Sequence, residues 1–371
     1  MKTSLVLYSQ EMLEKHPYLH YIYNAIIELY QKKGSIHQVS FQEATYQKLA
    51  TGRNNTSLIT ISLSAHRSLK RGLWERLNFP ALLRQLQPGN VYVIGEPISL
   101  KNNQQSGRWW YFIYDGTLVD LLLGKQTPAS KKRIRFMEKL AGMDRIISYS
   151  PVATEAMKEA VPQFKEKLRT WMPLPDRTYL DPKRYTDDQI EAFRLKATGE
   201  ESYFLLDARA SSQDGVIEHL KAFSHFKKWQ RSSMNMGLLI SPSLMASEHF
   251  REIMDTYFYK KDVQLLSDLN KDELYYWIRA AYAVISPCFS DQGLDIQLAA
   301  ACLATLVIAP ATPTTEALLA GARYPLADID KESLGQVMIS SYKAEILRSR
   351  HIKAGLECAE KWPAMAGDLM E

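Results

Sequence analysis

Residues 283–309, AVISPCFSDQGLDIQLAAACLATLVIA, constrain the fold more than any other stretch of this chain. Val284 and Ile285 end a short β-branched strand, Pro287 and Gly293 mark a loop, a small-residue helix follows, and 306–309 is a second apolar strand. Strand, loop, helix and strand over so few residues make a βαβ unit, which requires a parallel sheet covered on its faces. Ligands of such sheets sit at the carboxyl ends of the strands, so chemistry is expected in the loop 286–295. Asp291, Gly293 and Asp295 fall there. A turn glycine and two helix-capping aspartates account for the same residues without any function.

The rest of the chain repeats this alternation. Strands are expected at 4–8, 58–63, 91–94, 111–114 and 145–149, with helices at 16–32 and 73–86. Residues 19, 22, 23, 26, 27 and 30 place apolar side chains at helical spacing, and Gly34 closes that helix. Pro173, Pro175 and Pro182 mark 171–198 as a connector. Beyond it come strands at 203–206, 237–241 and 263–266, a helix through 226, and a helix capped by Asn270 with Glu273 three residues on. Residues 345–369 read as terminal helices interrupted at Pro363. The whole is an α/β chain of two doubly wound domains, 1–175 and 176–357.

Several of these segments resemble retaining glycosyltransferases of the GT-B type, family 4-like. The family's donor-site segment has a proline and serine, a glutamate, a glycine turn, a second glutamate eight residues on, an alanine-rich helix and a strand. Here Pro287 stands in place, Cys288 replaces the serine, Asp291 takes the first acidic position, and Ala299 falls where the second glutamate is expected. The turn after strand 203–206 resembles the family's arginine and lysine–glycine pair, with Arg209 and Gly215 matching and Asp214 in the lysine position. The pair Tyr114 and Asp115 and the strand ending in Ser150 resemble features of the family's acceptor side. The family's glycine-rich loop after the first strand is absent, since Ser9 to Glu14 contain no glycine. His16 and His20 lie near it, as structural or cleft-facing groups.

The resemblance implies a GT-B fold with two Rossmann-like domains facing a central cleft, and a C-terminal helix, 358–371, returning to the first domain. It implies metal-independent transfer of a hexose from a nucleotide diphosphate sugar, UDP or GDP type, to a glycan or lipid-linked glycan, without a cofactor. Arg209 and Asp291 would be catalytic. Arg209, Gly215, Ser267, Leu269, Asp291, Gly293, Leu294 and Asp295 would bind the donor, with Asp115 and Ser150 on the acceptor side. Two features favour another reading, a non-catalytic homologue that binds a partner or a glycan. Asp214 sets a carboxylate beside the diphosphate, and Ala299 leaves the second acid missing. Separately, a surface ion pair with Asp207 or Asp214 is the purely structural alternative for Arg209.

With 46% hydrophobic and 23% charged residues the chain reads as a soluble globular protein. It has no apolar run near the roughly 20 residues of a membrane span, and a cytoplasmic location is expected. Its three cysteines, Cys288, Cys302 and Cys358, have no metal-ligand or disulfide spacing and are expected to be buried. Lys and Arg outnumber Asp and Glu by 24 to 13 in residues 1–175, and are outnumbered 22 to 28 in 176–371. Part of the excess gathers at Lys131, Lys132, Arg133, Arg135 and Lys139, and part at Arg67, Lys70, Arg71 and Arg76. These are solvated helix faces or a peripheral contact with anionic membrane. No reader motif for nucleic acid accompanies them.

Overall fold

The computed structural model describes residues 4–9, 13, 19, 22–27, 36–42, 56–62, 74, 77–95, 107–113, 122, 131–148, 150–172, 180–199, 201–289 and 293–365. The chain divides into two compact units, Met1–Pro173 with Ala366–Glu371, and Leu174–Met365. Asp115, Asp291 and the basic cluster from Arg67 to Arg76 lie outside the described residues, as do Gly34, His16 and His20.

The first unit is built on a parallel sheet of β1 (Ser4–Ser9), β2 (Ile36–Gln42), β3 (Thr56–Ser62), β4 (Asn90–Ile94), β5 (Arg108–Ile113), β6 (Arg145–Ser148) and β7 (Leu168–Thr170). Their order is β3-β2-β1-β4-β5-β6-β7. All of these pairings are parallel. The helices α1 (Phe79–Leu86), α2 (Lys131–Ala141) and α3 (Pro151–Ala160) belong to it. Central strands of a parallel sheet are covered on both faces, and β4 and β5 are accordingly buried along nearly their whole length. Leu5, Leu7, Val91, Val93, Trp109 and Tyr111 share one core with Phe79 and Leu83 of α1 and Phe136 and Leu140 of α2.

The second unit repeats the plan with β8 (Tyr203–Asp207), β9 (Asn235–Leu239), β10 (Val263–Leu266), β11 (Ala283–Ile285), β12 (Leu306–Pro310) and β13 (Arg323–Leu326). The order is β10-β9-β8-β11-β12-β13, again parallel. Its helices are α4 (Asp187–Thr198), α5 (Gln213–Gln230), α6 (Pro242–Met245), α7 (Glu248–Thr256), α8 (Lys271–Ala280), α9 (Leu294–Cys302), α10 (Pro313–Leu319), α11 (Lys331–Ser341) and α12 (Glu345–Met365). Phe223 and Phe226 of α5 and Leu334 and Met338 of α11 join Phe204, Leu206, Met236 and Ile308 in its core. In α9 every residue except Asp295 is buried, as a run of small and apolar side chains interrupted only by Gln297 requires.

Several elements differ from the sequence reading, among them helices α3, α6, α7 and α11, which had no expectation. Strands β2, β7 and β13 were not anticipated, and 171–198 is more than a connector because it contains α4. Helix α12 also runs unbroken through Pro363 rather than stopping there. It packs within the second unit: Trp362 Nε1 donates to Leu318 O at 3.0 Å, and a Cβ on Gly355 would stand 3.5 Å from Ala301. Residues 358–365 thus continue a helix of the second unit. Of the cysteines only Cys302 is buried, while Cys288 and Cys358 are half-buried. Among the described residues no helix is long and apolar enough to cross a membrane.

Candidate functional site at the switch point of the second sheet

Sheet order reverses between β8 and β11, and the carboxyl ends of these two strands open the crevice where doubly wound sheets bind ligands. Asp207 is the last residue of β8, and Ser286 follows β11. The turn after β8 carries Arg209 and Ser211, and the first turn of α9 brings Gly293, Leu294 and Asp295 to the same place. Ser286 is fixed by its own N–H, which donates to Ile308 O at 2.9 Å.

Arg209 is held by two carboxylates. Its Nε and Nη2 donate to Asp207 Oδ1 and Oδ2 at 2.8 and 2.9 Å, and its Nη1 and Nη2 donate to Asp295 Oδ2 and Oδ1 at 3.0 and 2.9 Å. The Arg209 side chain is 21% exposed, against 4% for Asp207 and 12% for Asp295. Burial works against the guanidinium charge, but Asp207 and then Asp295 outweigh it and raise its pKa well above the ordinary value. A guanidinium has five N–H donors, so one is left without a partner among the described residues. The surface pair expected with Asp207 or Asp214 is corrected accordingly. Asp207 is a partner, but the pair is part-buried rather than at the surface, and the second partner is Asp295. Asp214 is exposed in the first turn of α5.

Gly293 is required by close approach. A Cβ there would lie 2.2 Å from Ser286 Oγ and 3.2 Å from Asp207 Oδ2. The loop therefore rests directly on Ser286 and Asp207, and α9 begins there without a side-chain cap. An uncapped helix start presents backbone N–H groups and the positive end of the helix dipole, a combination that suits a phosphate. Gln297, one turn on, donates from Nε2 to Ser286 Oγ at 3.0 Å. Its Oε1 is buried without a hydrogen-bond partner among the described residues.

Beside Arg209, Ser211 Oγ lies 3.1 Å from Nε2 of His219, which is 3% exposed. Burial pushes the His219 imidazole down to about 4, so the ring is neutral near pH 7. Ser212 caps α5 by accepting the Gly215 N–H at 3.2 Å, which places Gly215 in the first turn of that helix. At the end of β10, Ser267 is half-buried, and its Oγ is enclosed with no partner among the described residues. Asp268 beside it adopts φ 51°, and Leu269 is half-buried.

Two further positions singled out from the sequence have evident roles in the packing. Ala299, in the place of the second acid, is 3% exposed inside the buried helix α9. Ser150 is 1% exposed and caps α3, its Oγ accepting the Ala153 N–H at 3.2 Å. The sequence reading missed Ser286, Gln297, Ser211 and His219. Gln297 alone had a local signal, as a polar residue within an otherwise apolar helical run.

No protein-family model matches this sequence, and no curated protein is similar to it. Solved structures are. A glycosyltransferase from Rickettsia africae ESF-5 superposes with a TM-score of 0.70 at 12% identity, over 97% of this chain and 93% of that one. HepE of Anabaena, solved in complex with UDP and glucose, gives 0.68 at 12% identity, over 97% and 95%. The fold is GT-B. The sucrose-phosphate synthase of Thermosynechococcus elongatus extends the GT-B likeness, with a TM-score of 0.70 at 12% identity over 99% of this chain and 96% of that one.

Proposed function

We propose that this GT-B chain is a glycosyltransferase that moves a hexose from a nucleotide diphosphate sugar to a glycan or lipid-linked glycan, with retention and without a metal or other cofactor. The observation that carries this reading is the Gly293 approach. It brings an uncapped helix start to the sheet's switch point, beside a guanidinium that cannot swing away. In this scheme the Gly293 and Leu294 N–H groups and the remaining Arg209 N–H stabilise the departing diphosphate. The leaving phosphate accepts the proton of the incoming hydroxyl. Asp291 accepts hydrogen bonds from the sugar hydroxyls. The nucleoside extends toward Ser267 and Leu269, since β10 lies two strands from β8, roughly 10 Å at ordinary strand spacing. HepE binds UDP-glucose in a further structure of similar fold, which supports a nucleotide-sugar donor here.

The acceptor side, including Asp115 and Ser150, is assigned to the first unit. Helix α2 of that unit supports peripheral contact with an anionic membrane, because Ile134 is 51% exposed beside the exposed Lys131 and Arg135. We place the protein in the cytoplasm and assign it no nucleic-acid partner.

One observation favours the second reading, a non-catalytic homologue that binds a partner or glycan. Four of the five Arg209 donors are spent on carboxylates, and the site carries a net negative charge before any diphosphate enters. The readings separate on incubation with a panel of UDP- and GDP-hexoses and mixed glycan acceptors, with released nucleoside diphosphate as the signal. Release from one donor, abolished in Arg209→Ala, supports the transferase. Intact donors throughout support the binding protein.

A further inference from the structure

A groove with a cavity volume of about 1070 Å³ opens on the second unit between α5, α11 and β13, and it shares no lining residue with the switch-point site. Lys221, His225 and Lys228 line it from one face of α5, at helical spacing, and Lys331 and Ser333 line it from the first turn of α11. Glu332 is the one carboxylate in this lining. The excess of cations runs against its surroundings, since acids outnumber bases 28 to 22 over residues 176–371.

The charges are also drawn together across two helices. Lys221 bonds Glu218 at 2.7 Å, and Lys221 and Lys331 both hold the Glu218 carboxyl below its ordinary range. Lys331 has a second acid, Glu332, at 3.3 Å, whereas Lys228 has no ion pair among the described residues. Glu218 and Glu332 offset two of the three ammonium charges, which leaves Lys228 as the cation of the lining that an anion would complement. An ammonium is a point charge with three donors and suits a phosphate approached from several sides. Trp229, 71% exposed, stacks on His225 of the lining with ring centroids 6.4 Å apart.

We propose that this groove binds a phosphate ester, with Lys228 and Lys331 as the principal contacts. The inference is independent of glycosyl transfer, because none of these residues belongs to the switch-point site. Phosphate esters occur free and as lipid headgroups, and the test separates the two. The full chain is titrated with glycerol 1-phosphate and is also sedimented with phosphatidylcholine vesicles with and without phosphatidylglycerol. The same measurements are made on Lys228→Glu/Lys331→Glu and on Arg209→Ala, with thermal melting to confirm folding.

Both lysines are exposed on helix surfaces, so the double variant is expected to fold. Saturable binding of glycerol 1-phosphate that weakens at least about tenfold in the double variant and persists in Arg209→Ala supports a site for soluble esters. Binding only to phosphatidylglycerol vesicles, lost in the double variant, supports a headgroup site. No binding in either format, or binding unchanged by the double charge reversal, overturns the proposal.

Discussion

Replacing Arg209 by alanine leaves the buried Asp207 and the half-buried Asp295 without a counter-charge, and cutting a largely buried ion pair costs more than the pair itself contributes. We expect Arg209→Ala to lower stability by about 3 kcal/mol, measured as a shift of the urea midpoint. Arg209→Lys should recover only part of this, because one ammonium cannot reproduce two forked contacts. His219 gives a second residue-level expectation, with a definite pH window. Its pKa is about 4 in the folded protein against an ordinary 6.5, so the unfolded chain binds the proton more readily. Stability therefore falls as pH drops from 6.5 toward 4, and this contribution is on the order of 3 kcal/mol. Melting curves across that window should show a shallower pH slope in His219→Leu, and an unchanged slope would refute the assignment. Arg209 itself was singled out from the sequence, but its clamp was not. Asp295 lies 86 positions away, and no local pattern announces a pairing that only the sheet order brings about.

Elements with strong end signals were read well. The strand at 263–266 has the bounds of β10, and the Asn270 and Glu273 box is present, with both hydrogen bonds near 3 Å. Asn270→Ala should cost about 1 kcal/mol and Asn270→Asp little, by chemical denaturation. The missed elements have physical explanations. In β2 the polar Gln38 breaks the apolar run, yet it is buried at 7% because the Tyr23 hydroxyl donates to it. Strand β13 contains Pro325, which is tolerated because β13 is an edge strand. Prolines at 173, 175 and 182 masked α4, although Thr186 and Gln189 form a complete capping box at its start. Pro363 lies in the last turn of α12, where few backbone bonds depend on it.

At the scale of the whole molecule, the alternation of strands and helices was enough to indicate two parallel sheets, because each sheet buries its faces with helices supplied in chain order. Superposition at 12% identity on glycosyltransferases makes the same point from the other side, since packing periodicity survives after most side chains have changed. Activity does not follow from that likeness. It depends on whether the crevice at β8 and β11 takes a diphosphate despite its two carboxylates. Calorimetric titration of the intact chain with UDP and GDP decides this, repeated on Gly293→Ala, whose new Cβ would stand 2.2 Å from Ser286 Oγ. The account predicts saturable binding of one nucleotide at concentrations below about 1 mM, lost in Gly293→Ala. Absence of binding by both nucleotides, or equal binding by the variant, would contradict it.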